Sequence, residues 1–136
     1  MTLRYPSHMP RVLVFGTFDH LHPGHKFLLR EGMKRGDLHV VIARDANVEK
    51  IKGKIPDEGE EDRLKILQEA FPEAEVVLGD SDDFLVPVRD IQPDLILLGY
   101  DQKFPPGVSE DDLPCSVERL EAFEPERWKS SIMKED

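Results

Sequence analysis

The chain has 136 residues, with 28 acidic and 18 basic side chains and a formal net charge of −10 at pH 7. That length predicts one domain, and the acidic balance argues against nucleic acid as a main partner. The apolar runs are shorter than the roughly 20 residues that span a bilayer, and no signal peptide is visible, so we expect no membrane partner. The single cysteine, Cys115, excludes an internal disulfide and is typical of a reducing compartment, which predicts a cytoplasmic protein.

Apolar strands alternate with amphipathic helices along the chain, which is the pattern of a parallel sheet covered on both faces. Residues 1–10 lack periodicity and are predicted to be a flexible lead-in to one domain at 11–136. Strands are predicted at Arg11 to Gly16, Leu38 to Ala43, Ala74 to Leu78, Asp94 to Gly99 and Ser116 to Phe123. The predicted fold class is α/β, a single Rossmann-like domain with a five-stranded, mostly parallel sheet and helices on both faces.

Helices are predicted at Pro23 to Arg35, from Asp57 to about Phe71, at Asp82 to Ile91 and from about Lys129. Asp57 is expected to cap the second of these, with Glu60 three residues later as its capping-box partner. Leu64, Leu67 and Phe71 follow at the spacing of one buried helix face. The segment between the second strand and Asp57 contains Gly53 and Pro56 and is predicted to be a loop.

The most informative run lies between the first strand and the first helix and has the sequence GTFDHLHPGH, residues 16–25. Pro23 suits the first turn of a helix, and Gly24 has no side chain to keep a ligand from the backbone. Backbone amides without partners and the positive end of the helix dipole predict an anion site there. His22 and His25 beside that site indicate stabilisation of charge on a phosphate, and the chemistry we infer is nucleotidyl transfer.

This run resembles the signature of a nucleotidyltransferase superfamily, whose H-x-G-H element is present as His22-Pro23-Gly24-His25 after G-T-F-D. Its members include glycerol-3-phosphate cytidylyltransferase, pantetheine-phosphate adenylyltransferase and the archaeal-type FAD synthases. They join a nucleoside triphosphate to a phosphorylated acceptor and release pyrophosphate. The resemblance implies a homodimer, and it implies Mg²⁺ or another divalent cation that binds with ATP as the substrate. It also implies nucleotide binding by Gly16, Thr17, Phe18, His22, Pro23, Gly24 and His25 and catalysis by His22, His25 and Lys54.

A transition-metal site is an alternative reading of the three closely spaced histidines, His20, His22 and His25. The chain has one cysteine and no second histidine cluster to complete such a site. We therefore expect no metal bound by dedicated protein ligands.

A group of basic residues follows the second strand, where Arg44, Lys50, Lys52 and Lys54 stand against Asp45 and Glu49. Positive charge at a strand end suits a triphosphate and a phosphorylated acceptor, and we expect at least one of these lysines to bind phosphate; the alternative is a solvated loop. Arg63 has two interpretations: it pairs with its acidic neighbours, or it faces the acceptor phosphate, as the resemblance implies. The predicted acceptor-binding residues are Asp19, Asp45, Lys52, Lys54 and Arg63.

The end of the fourth strand and the C-terminus carry further resemblance. Gly99-Tyr100-Asp101-Gln102 and the A-R-D string ending at Asp45 are similar to elements of the archaeal-type FAD synthases, in which the end of the fourth strand receives the nucleobase. Gly99 and Asp101 are therefore predicted to bind the nucleotide, the alternative for Asp101 being a turn cap. The segment RWKSS resembles the family's closing motif, which implies nucleotide binding by Trp128, Ser130 and Ser131, although Trp128 could instead cover the edge of the core.

Three functions remain open from the sequence. The first hypothesis is transfer of AMP from ATP to FMN, giving FAD and pyrophosphate, with these small molecules as the partners. The alternative is a cytidylyltransferase that acts on glycerol-3-phosphate or a similar small phospho-alcohol. A non-catalytic nucleotide-binding module is a third hypothesis, and the presence of both His22 and His25 argues against it.

Overall fold

The computed structural model describes residues 9–80, 82–105 and 107–121. The five strands are β1 (Arg11–Gly16), β2 (Asp37–Ile42), β3 (Glu75–Leu78), β4 (Leu95–Leu98) and β5 (Ser116–Arg119). The α-helices of the described residues are α1 (Pro23–Arg35), α2 (Asp45–Lys52), α3 (Glu60–Ala70) and α4 (Leu85–Ile91). The predicted fifth strand is too long, because β5 ends at Arg119 and residues 120–121 lie outside the strand. Residues 122–123 of that prediction and the predicted terminal helix from Lys129 lie outside the described residues.

The strands form one parallel sheet in the order β3-β2-β1-β4-β5. β1 is central, and its register with β2 runs from Arg11 opposite Asp37 to Gly16 opposite Ile42. The α/β prediction is confirmed, and every strand pairing in the described residues is parallel. Strand order reverses between β1 and β4, so the carboxyl ends of these two strands border the crevice in which such sheets bind ligands.

Two hydrophobic cores lie on opposite faces of the sheet because successive side chains of a strand alternate between faces. Val12 and Val14 pack with residues of α1 and α3, whereas Leu13 and Phe15 pack with residues of α4. Helices therefore cover both faces, as the alternating pattern predicts. The longest of them has 13 residues, and no helix in the described part of the chain has the length and apolar character needed to cross a membrane.

The basic segment after β2 differs from its prediction as a loop, because residues 45–52 form helix α2. Asp45 lies in its first turn and Lys50 and Lys52 in its last, which places each charge at the favourable end of the helix dipole. Val48 is buried on the inner face of the helix. Gly53 ends the helix in the left-handed conformation, with φ of 83°. Lys50 and Lys52 therefore project from the C-terminal end of α2.

The capping box predicted for α3 is wrong. The helix begins at Glu60 with Gly59 as its N-cap, and no side chain caps it. The backbone N–H of Asp57 donates instead to Asp19 Oδ2 at 3.0 Å, and Glu60 Oε1 accepts the backbone N–H of Asp45 at 2.8 Å. Both groups of the predicted capping box, the N–H of Asp57 and the carboxylate of Glu60, are therefore bonded to residues distant in sequence.

Helix α4 begins at Leu85, three residues later than predicted, because two aspartates hold the preceding segment in turns. Asp80 Oδ2 accepts the N–H groups of Asp82 and Asp83, each at 2.9 Å. Asp83 Oδ1 then accepts the N–H of Leu85 at 2.9 Å. Short aspartate side chains compete with the helix for backbone donors in this way.

Candidate functional site at the carboxyl edge of the sheet

The site is built where β1 ends, and its central feature is a pair of histidines at the start of α1. His22 is the N-cap residue, and its Nδ1 accepts the backbone N–H groups of Gly24 at 3.1 Å and His25 at 3.3 Å. His25 Nδ1 accepts the backbone N–H of His22 at 3.3 Å. The two rings stack with their centroids 3.6 Å apart and an interplanar angle of 19°. The arrangement is a capping box made of two imidazoles.

This geometry selects the tautomer of each ring. A neutral imidazole has one N–H donor and one acceptor nitrogen, and in both rings Nδ1 is the acceptor. The proton of each neutral ring is therefore on Nε2. Two Nε2–H donors belong to adjacent, stacked rings, which is an arrangement that can donate to neighbouring oxygens of a polyphosphate.

The anion site itself differs from the prediction. Sequence reasoning placed backbone amides without partners at the start of α1, whereas the N–H groups of Gly24 and His25 both donate to His22. At this helix end the imidazoles, and not the amides of Gly24 and His25, are therefore the groups that can donate to an anion. The sequence spacing contained this signal, because His22 and His25 stand at the N-cap and N3 positions of a capping box.

His25 is held as a neutral ring. Burial, the neighbouring His22 and the cation of Lys52 lower its pKa to about 4, burial having the largest effect. Phe18 packs edge-on against the ring with centroids 5.2 Å apart. Phe18 is itself buried and has φ of 57°, in the left-handed region. This turn conformation places its aromatic ring in contact with His25. A neutral His25 acts as a hydrogen-bond donor at pH 7.

Arg63 lies beneath this turn with its side chain fully buried. Its guanidinium donates to the carbonyl of Thr17 at 2.8 Å, to the carbonyl of Glu58 at 2.9 Å and to Asp45 Oδ1 at 2.6 Å. Of the two interpretations of Arg63, the pairing with the acidic residues beside it in sequence is wrong, since its carboxylate partner is Asp45. The proposed contact of Arg63 and Asp45 with the acceptor stays a prediction, and the structure shows them bound to one another.

Asp19 and His20 form hydrogen bonds with the segment before α3, at Asp57 and Glu58. The two oxygens of Asp19 accept the backbone N–H groups of Asp57 and Glu58, each at 3.0 Å, and these bonds lower its pKa although burial opposes them. His20 Nε2 contacts Asp57 Oδ2 at 2.9 Å, which raises the pKa of His20. His20 is thus engaged apart from the stacked His22 and His25, and sequence reasoning missed the role of Asp57 in this contact.

The basic residues after β2 divide into two groups. Arg44 is engaged within the protein, donating to the carbonyl of Gly79 at 2.7 Å and to Glu60 at 3.3 Å. The side chains of Lys50, Lys52 and Lys54 are exposed. The positive charge of Lys52 lowers the pKa of His25, so one predicted acceptor-binding residue lies within electrostatic range of the histidine pair. The catalytic role of Lys54 stays a prediction.

The loop after β4 borders the other side of the crevice. Gln102 links it to the end of β1, because Oε1 accepts the N–H of Gly99 at 3.1 Å and Nε2 donates to the carbonyl of Phe15 at 2.6 Å. Arg119 Nη1, at the end of β5, donates to the carbonyls of Gly99 (3.1 Å), Tyr100 (3.4 Å) and Gln102 (2.6 Å). Sequence reasoning missed Arg119 and the link made by Gln102.

Asp101 is exposed at the tip of this loop. Gly99 lies at its start and takes part in the bonds to Gln102 and Arg119. Their predicted nucleotide contacts stay predictions. Trp128, Ser130 and Ser131 lie outside the described residues.

Comparison with known proteins identifies the class to which this fold and site belong. A family model described as cytidylyltransferase-like matches residues 13–125. The chain therefore belongs to the cytidylyltransferase-like family. It is 43% identical over 140 residues to the FAD synthase of Methanolacinia petrolearia, covering 93% of this chain and 90% of that protein. It is 45% identical over 126 residues to the FAD synthase of Methanosarcina mazei, covering 85% and 82%.

Solved structures share the same architecture. The crystal structure of a protein from Thermoplasma volcanium, described as a lipopolysaccharide core biosynthesis protein, is 35% identical with a TM-score of 0.75 and covers 85% of this chain and 99% of that chain. A protein of unknown function from Archaeoglobus fulgidus is 16% identical with a TM-score of 0.62, covering 82% and 89%, and shows likeness of fold alone.

The neutrality of His25 predicts a pH dependence of stability. In the unfolded chain His25 binds a proton near the ordinary histidine pKa of 6.5, whereas in the folded chain it does so near 4. The unfolded state therefore binds more protons between these values, and the free energy of unfolding falls as pH is lowered from 6.5 towards 4. Urea denaturation at several pH values should show a shallower fall for His25→Gln, which has no such proton to bind.

His20→Gln is the matched control for this measurement. The pKa of His20 is raised, so its contribution is present below pH 6.5 and is lost as pH rises through the folded pKa. The slope between pH 6.5 and 4 should therefore change little. Equal slopes for wild type and His25→Gln would mean that folding does not lower the pKa of His25, which would contradict this account.

Proposed function

We propose that the protein is an FMN adenylyltransferase, which transfers AMP from ATP to FMN and gives FAD and pyrophosphate. The observation that carries this proposal is the stacked His22–His25 pair at the start of α1, in a chain whose curated relatives are FAD synthases. ATP and FMN are then its partners. We further propose a homodimer and a cytoplasmic location.

The reaction is an in-line displacement at phosphorus. An oxygen of the FMN phosphate forms a bond to the α-phosphorus of ATP, and the bond from that phosphorus to the bridging oxygen breaks. The electron pair of the broken bond leaves with pyrophosphate. Such transfers require positioning and electrostatic stabilisation more than covalent chemistry by the protein. Nε2–H groups of His22 and His25 would donate to α- and β-phosphate oxygens as charge develops there.

Neutral donors suit this task. At pH 7 the ring of His25 is neutral, so its Nδ1 still accepts the backbone N–H of His22, the hydrogen bond that fixes the position of the ring. Protonation of Nδ1 would break the bond that it accepts and release the ring. The capping box therefore serves the helix and aims the donors at the same time.

Magnesium is proposed to bind as part of the nucleotide substrate. Mg²⁺ is usually held by substrate phosphates and water with few protein carboxylates, and when bound it neutralises charge on the leaving pyrophosphate. Asp19 is the carboxylate of the G-T-F-D turn, and both of its oxygens already accept backbone N–H groups. The described residues thus fit an ion that ATP itself brings.

The acceptor side is proposed to lie at the end of α2. Lys52 offers a positive charge beside the histidine pair. Ile51 and Ile55 flank the lysines with 55% and 53% of their surfaces exposed. An apolar surface next to a cation matches FMN, which joins a flat apolar ring system to a phosphate.

A panel assay tests the assigned reaction. We expect FAD and pyrophosphate from ATP with FMN, and neither product from CTP with glycerol-3-phosphate. Calorimetry with Mg²⁺ and no acceptor should show tighter binding of ATP than of CTP, because a site that reads a base by hydrogen bonds leaves buried groups unpaired with the wrong base. CTP binding tenfold or more tighter than ATP would replace this assignment with the cytidylyltransferase alternative.

His25→Ala should lower kcat by about 10²–10³-fold, which is typical for loss of one preorganised donor. His22→Asn is the sharper test at the other position, because asparagine is a good N-cap residue and leaves the helix start intact while the Nε2 donor is lost. Binding of ATP should weaken much less than kcat falls in both variants. Normal turnover by His25→Ala would show that the motif is structural.

Lys52→Ala should raise the KM for FMN and leave the Kd for ATP nearly unchanged, because it removes the cation beside His25 that we assign to the acceptor phosphate. Lys50→Ala is the matched control: it lies on the same helix and is exposed, and Lys52 is the lysine whose charge lowers the pKa of His25. Steady-state kinetics with varied FMN and calorimetry with ATP separate the two substrates. A parallel loss of ATP affinity would reassign Lys52 to the nucleotide.

A further inference from the structure

The loop of residues 99–102 stands across the crevice from the histidine pair. β1 and β4 are neighbours at the point where strand order reverses, and ligands of open parallel sheets occupy the crevice at that point. If the phosphates of ATP lie at the end of β1, as the proposed function requires, the rest of the nucleotide extends along this crevice to the end of β4. The part that this loop plays in nucleotide binding therefore rests on the proposed function.

We propose that Arg119 is a positioning residue that determines base specificity by fixing this loop. Its Nη1 engages the carbonyl oxygens of Gly99, Tyr100 and Gln102. Those oxygens would otherwise be acceptors for the exocyclic amine that adenine and cytosine both carry. With them engaged, the carboxylate of Asp101 is the exposed acceptor at the loop tip, and it has no hydrogen-bond partner among the described residues.

Fixing the loop matters because the two bases differ in geometry more than in chemistry. Each presents an amine donor next to a ring-nitrogen acceptor, but the six-membered ring of adenine lies farther from the sugar. A mobile loop could follow either edge, whereas a loop held at both ends fits one. Gln102 holds it to Phe15 at the end of β1, and Arg119 holds it to the end of β5.

Arg119 can be tested apart from the fold because the sheet does not depend on its side chain. The side chain is exposed, and β5 is paired with β4 through its backbone, with Leu95 opposite Ser116 at one end and Leu98 opposite Arg119 at the other. The N–H of Leu120 continues this pairing by donating to the carbonyl of Leu98 at 2.9 Å. Loss of the guanidinium therefore releases the loop and leaves the strand in place.

The experiment compares the Kd values for ATP and CTP, measured by calorimetry with Mg²⁺ and no acceptor, in wild type and Arg119→Gln. We expect the ratio of the two Kd values to move about tenfold towards unity, the effect of about one net hydrogen bond. The kcat at saturating ATP and FMN should stay within a few-fold of wild type. Arg30→Gln, which removes an exposed arginine of α1, should leave the ratio unchanged.

Arg119→Lys should restore the wild-type ratio, because all three bonds converge on one nitrogen and an ammonium group carries three donors. An unchanged ratio in Arg119→Gln, or equal weakening of both nucleotides, would overturn the proposal, as would failure of that variant to fold in thermal denaturation. The proposed function is tested separately by FAD formation in the wild type, since a preference for CTP would refute it while the Arg119 ratio could still be measured.

Discussion

The positions of the segments that form the site depend on the hydrogen bonds and ion pair of one buried guanidinium, that of Arg63. A charge removed from water must be compensated by hydrogen bonds and an opposite charge, and Arg63 finds them in the carbonyls of Thr17 and Glu58 and the carboxylate of Asp45. Those partners belong to the turn after β1, the segment before α3 and the start of α2. One side chain therefore joins the three segments from which the histidine, lysine and aspartate side chains of the site project. Removing one partner of such a buried pair typically costs about 3–5 kcal/mol.

The histidine pair combines a helix start with the two imidazoles to which we assign stabilisation of the transition state. Helix N-termini leave backbone N–H groups without partners inside the helix, and here imidazole nitrogens accept two of them. The same bonds select the tautomer and stack the rings, so the donors are aimed before any substrate arrives. Preorganised donors need no rearrangement when charge develops, which is the source of their catalytic effect. Burial and the nearby cation of Lys52 keep His25 neutral, so the arrangement persists at pH 7.

Local charge at the site opposes the charge of the whole molecule. The chain carries a net charge of −10, yet Lys50, Lys52 and Lys54 extend from the end of α2 and the residues just beyond it, at the carboxyl edge of the sheet. A local excess of positive charge in an otherwise acidic protein attracts anions, as the proposed binding of ATP and FMN requires. On the other side of β1, Gln102 joins the loop after β4 to the end of β1, the strand that leads into the histidine motif.

The sequence by itself determined the strands, the helix that follows the first strand, the α/β class and the pair His22–His25, because hydrophobic alternation and motif spacing are local properties. It did not determine the start of α3 or the partner of Arg63, since Asp19 and Asp45 contact those positions from 38 and 18 residues away. The sequence also did not show that the backbone N–H groups of Gly24 and His25 have a hydrogen-bond acceptor, because that depends on the rotamer of His22. Arg119 is the clearest case: its role exists only because β5 pairs beside β4, and pairing between distant strands is decided by the packing of the whole sheet, which no short stretch of sequence encodes.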